Sequence, residues 1–138
     1  WDKMNNVNIK DSNFISTSVY KNFMIENTGR GILNIRASFA NQALPITNLK
    51  VVVSKEIENY NVIFYEGVTN ISGLIGKISL PTPPKENNDL IAPKTTTYKI
   101  TALYNNREYT YVVNMYDGIC AVQNINIVPS NERKYYVN

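Results

Sequence analysis

From Gly31 onward the chain alternates. Leu33, Ile35, Ala37 and Phe39 fall on one side and Asn34, Arg36 and Ser38 on the other, the period-two signature of a half-buried strand. "ANQALP" reads as a loop, and Leu49, Val51 and Val53 supply a second strand. Asn61 to Glu66 supplies a third, with Val62 and Phe64 sharing a face. Ser72 and Gly73 mark a turn before a short strand over Lys77–Leu80. Pro81, Pro83 and Pro84 are expected outside any sheet, because proline removes a ladder donor, and to open a polar loop running to Lys94. Thr96–Leu103 and Glu108–Asn114 flank the compact "YNNR" of Tyr104–Arg107 and predict an antiparallel hairpin. Asp117 and Gly118 turn the chain into a last strand, Val122–Val128, with Ile125 and Ile127 inward, Asn124 and Asn126 outward, and Pro129 as its stop. Short strands at this spacing predict an all-β sandwich. Without long helical segments between them, a Rossmann-like unit does not fit.

Residues 1–30 read differently, as an N-terminal extension to a sandwich over residues 31–138. Ile15, Val19 and Phe23 stand at helical spacing, with Ser12 or Ser16 as caps and Gly29 as a stop. A helix of two to three turns, a strand packed on the main domain, and a linker all fit this segment. "TGRG" at Thr28–Gly31 is the expected boundary. The polar opening, with no initiator Met, reads as a piece excised from a longer chain.

Composition sharpens this picture in three places. Asn is frequent, Ala is scarce, and ten Tyr with four Phe suit pleated surfaces better than helices. The net charge of +3 is spread so evenly that only Arg133 and Lys134 are adjacent basic residues, which argues against a nucleic-acid partner. No apolar run approaches the roughly 20 residues of a membrane span, so membrane insertion is not expected. Cys120 stands alone in "GICAV", leaving no intrachain disulfide, and is expected to be a small buried hydrophobe.

The phrases "GILNIRASFANQALPITNLKVVV", "TNISGLIGKISLPTPP", "TYKITALYNNREYTYVVNMYDG" and "AVQNINIVP" occur in an order that resembles carboxypeptidase-regulatory-like domains. These are related in architecture to transthyretin-like and Cna protein B-type modules of bacterial surface proteins. More narrowly, the chain is similar to the version in spore-forming Firmicutes, such as the N-terminal region of clostridial spore-cortex-lytic enzymes. The resemblance covers Gly31–Pro129 and implies an immunoglobulin-like or transthyretin-like Greek-key sandwich of about seven strands. Where the family has a glycine beside the hairpin tyrosine, this chain has Asn105, which also tolerates positive φ. The resemblance also raises a Lys–Asn isopeptide cross-link. The first strand offers only Arg36, which cannot serve, while Lys50, Asn124 and Asn126 would have to turn inward, so no cross-link is expected.

Chemistry is sparse. Histidine is absent, which removes a Ser-His-Asp or Cys-His arrangement and the common zinc ligand. Cys120 has no base, Glu56 and Glu58 read as a solvated pair, and Asp117 reads as a turn residue. "NNDL" at residues 87–90 lacks the acidic spacing of a calcium loop. The sequence therefore predicts no catalytic, cofactor-binding or metal residues, no cofactor and no enzyme. It predicts a non-catalytic accessory or structural module of a bacterial spore or cell-envelope protein, outside the cytoplasm, that binds a protein partner or positions a neighbouring domain. The alternative is a carbohydrate- or peptidoglycan-binding module, in which the surplus tyrosines and asparagines stack on sugars and hydrogen-bond to them, while Tyr98, Tyr104, Tyr109 and Tyr111 serve structurally as large rims of the hairpin. A monomer is expected, with a homodimer through exposed strand edges as the alternative.

Overall fold

Alternation in the sequence becomes alternation in burial. The computed structural model describes residues 5–40, 44–86 and 94–128. Its elements are β1 (Asn5–Asn8), α1 (Ser12–Ile15), α2 (Ser18–Glu26), β2 (Gly29–Phe39), β3 (Lys50–Ile57), β4 (Tyr60–Val68), β5 (Leu74–Thr82), β6 (Thr96–Tyr104), β7 (Arg107–Met115) and β8 (Cys120–Ile127). They form a five-stranded sheet, β1-β4-β3-β6-β7, packed on a three-stranded sheet, β5-β2-β8. The all-β sandwich expected from the sequence is the fold observed, with eight strands in place of about seven.

Leu33, Ile35 and Ala37 of β2, Ile78 and Leu80 of β5, and Ile125 and Ile127 of β8 supply one wall of the core. Val51, Val53, Tyr98, Ile100 and Ala102 supply the other. Each aliphatic side chain buried there contributes about 1.5–3 kcal/mol before entropy is counted. The β6–β7 turn places Asn105 at φ 51° and Asn106 at φ 62°. Both central residues of this two-residue connection thus adopt the left-handed region that a type I′ turn demands, which asparagine tolerates.

The five-stranded sheet is wider than its partner, and the N-terminal segment covers the excess. β1 pairs parallel to β4. Phe14 and Phe23 from the helices bury against Ile57 and Val62, and Phe64 touches both this cluster and the main core. The helical positions differ in detail from the sequence expectation. Thr17, rather than Ser12 or Ser16, caps α2, its hydroxyl oxygen accepting from the Tyr20 N–H at 3.2 Å. The helix ends at Glu26, the buried Asn27 side chain donates to the Phe23 carbonyl at 2.8 Å, and Gly29 already begins β2.

Two further expectations need correction. Pro81 lies inside β5, opposite Arg30. The Arg30 carbonyl accepts from the Gly118 N–H at 2.8 Å, on the side of β2 away from β5. The Arg30–Pro81 pair is therefore a non-hydrogen-bonded one, and the missing proline donor points to the open edge, where no ladder bond is lost. Cys120 is exposed rather than buried. Ile125 and Ile127 fix the odd-numbered residues of β8 inward, so period two turns Cys120 outward despite its apolar neighbours. The centre of the loop over Pro81–Lys94, including the "NNDL" segment, lies outside the described residues, as does most of "ANQALP".

Candidate protein-interaction edge

A sandwich carries chemistry on its faces, in its loops or at the edges of its sheets. The sequence-flagged residues do not converge on any of these. Glu56 and Glu58 are exposed at the β3–β4 turn. Arg36, Lys50, Asn124 and Asn126 all face solvent, so neither Lys50 nor the two asparagines meet across the core as a cross-link would require. Among the described residues, no three His, Cys, Asp or Glu side chains cluster as a metal site would need. Asp117 holds the chain together at one end of the sandwich. Its carboxylate accepts from the Lys85 N–H at 2.9 Å and the Arg30 N–H at 3.1 Å. The backbone N–H groups of Lys85 and Arg30 keep this carboxyl below its ordinary pKa.

The hairpin tyrosines lie on the inward face. Tyr98 is fully buried, and Tyr104, Tyr109 and Tyr111 pack half-buried against the core. Tyr104 meets Phe39 edge-on at 5.7 Å between centroids.

The two outer strands of the three-stranded sheet differ sharply. β5 is blocked. Pro81 offers no donor at the edge, its carbonyl is occupied by the Tyr98 hydroxyl at 2.5 Å, and a bulge places Lys77 at φ 61° with its N–H on the Asn34 side chain at 2.9 Å. Proline, lysine and a bulge are the usual means of closing an edge to strangers.

β8 is open. The Ile32 N–H donates to the Ile119 carbonyl at 3.1 Å and the Ala40 N–H to the Ile127 carbonyl at 3.0 Å. The odd-numbered residues of β8 therefore bond β2, and the even-numbered ones, Cys120, Val122, Asn124 and Asn126, direct their N–H and C=O groups outward. One of these groups is occupied by a neighbour: the Gln123 amide donates to the Asn124 carbonyl at 2.9 Å. Burial raises the pKa of the Tyr111 hydroxyl, with the Asn126 N–H working against the shift. Among the described residues, no partner reaches the N–H and C=O groups of Cys120 and Val122. β8 contains no charge, proline or bulge, and Val122 (61% exposed), Ile119 (50%) and Val128 (48%) surround the open groups with apolar surface. Sequence reading missed this site. The uncharged "CAVQNINI" was visible, but its place at an edge depends on strand order.

No protein-family model and no curated protein matches the sequence. The structure is similar to the 5-hydroxyisourate hydrolase of Klebsiella pneumoniae, with 17% identity and a TM-score of 0.46, over 72% of this chain and 91% of that one. That protein is an enzyme. The expectation that this chain is not one is corrected accordingly, since a fold of this kind does not exclude catalysis. At such identity nothing of the hydrolase's activity passes to this chain. None of the comparisons supports the narrower similarity to spore-cortex-lytic enzymes.

Proposed function

We propose that this chain is a protein-interaction module that receives an extended segment of a partner polypeptide along the open edge of β8. One observation carries the reading: the same small sheet has one edge closed by a proline, a bulge and the Tyr98 hydroxyl, and the other left, among the described residues, with unclaimed backbone groups. An added strand gains main-chain hydrogen bonds from such an edge and selectivity from its alternate side chains. The setting in a spore or cell-envelope protein rests on the sequence resemblance to bacterial surface modules. A photo-crosslinking residue at the exposed Asn124 tests the reading in its native setting. Cross-links to an extended segment of a partner, lost in Val122→Pro, support it. Cross-linking no stronger than from Lys99, on the outer face of the other sheet, overturns it.

A further inference from the structure

Building on that reading of the β8 edge, we infer that its partner is β8 of a second copy of this chain, paired antiparallel about a twofold axis through Ala121. Isologous contacts require a patch that complements itself. An edge strand with alternating donors and acceptors does so, provided that it carries no charge to repel its copy. From Gly118 to Val128 there is no charged residue, although the chain as a whole carries +3.

The register follows from which backbone groups remain open. Asn124 has its edge-facing carbonyl occupied from within the chain, whereas among the described residues the edge-facing groups of Cys120 and Val122 have no partner. Centring the axis on Ala121 sets Cys120 opposite Val122 of the other copy and satisfies all four groups on each chain. Ala121 then faces its own counterpart in a non-hydrogen-bonded pair, where Cα atoms lie about 4.5 Å apart and two methyl groups fit. The two small sheets merge into one continuous sheet across the axis. Ile119, Val122 and Val128 are the exposed apolar residues nearest the seam.

The test combines mass, exchange and cross-linking on the full chain. Analytical ultracentrifugation is expected to show a doubling of mass with concentration, and Val122→Pro to weaken association at least tenfold. Proline at 122 removes an edge-facing donor and no ladder bond, as Pro81 does in β5, so its circular dichroism and melting should stay close to those of the parent chain. In a Cys120→Ser background, Ala121→Cys should cross-link on oxidation with diamide, because directly opposed cysteines at this spacing reach disulfide geometry. Wild-type Cys120, opposite Val122, should not. A dimer that survives Val122→Pro, or that cross-links through Cys120 instead, overturns the proposal. A monomer whose Cys120 and Val122 amides exchange quickly overturns the second copy but leaves the edge open to another partner. A monomer in which those amides are protected shows the edge filled from within the chain and overturns both readings.

Discussion

The hydroxyl of Tyr98, on β6, donates to the carbonyl of Pro81, on β5, and so joins the two sheets through the core. Tyr98→Phe leaves that carbonyl without its donor and should lower stability by about 1–3 kcal/mol, read as a fall in the urea midpoint. Burial pushes the Tyr98 ionisation above its ordinary range. A pKa raised in the folded state gives stability that is present below the unfolded value of about 10 and lost as pH rises beyond it. The parent chain should therefore lose stability above pH 10 more steeply than Tyr98→Phe. Equal alkaline slopes would remove this assignment.

Lys77 is exposed and holds φ 61° in the β5 bulge. Holding a side chain in this region costs roughly 1–2 kcal/mol, part of which glycine returns to the more flexible unfolded chain. Lys77→Gly should raise stability by about 0.5–1 kcal/mol. A lower melting temperature would show that the lysine side chain contributes more than its backbone costs.

Asp117 sits where a Cβ at Gly29 would fall, 2.6 Å from its Cγ. Its carboxyl is held below the ordinary pKa by the Lys85 and Arg30 N–H groups. Such a group contributes stability above the unfolded value of about 3.9 that disappears as pH falls through the folded one. Asp117→Asn should flatten the loss of stability between pH 5 and 2 on chemical denaturation. Gly29→Ala, which displaces the carboxylate, should do the same in part. An unchanged acid limb in Asp117→Asn would assign the effect elsewhere.

Thr69 is buried, and its hydroxyl accepts from the Leu49 N–H at 3.0 Å while donating to the Ile46 carbonyl at 2.5 Å. Thr69→Val keeps the shape and orphans two backbone groups, at a cost of about 2 kcal/mol. Faster amide exchange at Leu49, ahead of β3, would locate the loss in this loop.

The strands and their buried faces were legible because period two needs only local sequence. Leu33, Ile35 and Ala37 could be assigned inward without knowing what they touch. Cys120 failed for a related reason. Its neighbours Ile119, Ala121 and Val122 suggest burial, whereas its direction is fixed by parity with Ile125 five residues away. Pro81 failed because whether a proline nitrogen faces a neighbour or an edge depends on strand order, a property of the whole chain. The same holds for the open side of β8. Thr17 displaced the serines as cap because helix ends are set by which hydroxyl meets the first free N–H.

The parallel pairing of β2 with β8 has a consequence for synthesis. Ser38 on β2 meets Asn126 on β8 across 88 residues of chain, so one side of β2 stays unpaired until β8 has left the ribosome. Hairpins β3–β4 and β6–β7 can form as they emerge, but the small sheet closes last. Contacts so distant along the chain slow folding. A polypeptide stalled before Cys120 would expose β2, with its alternating hydrophobic face, to any other unpaired strand nearby. The order of translation thus makes β8 the step that commits the domain to its own fold rather than to aggregation.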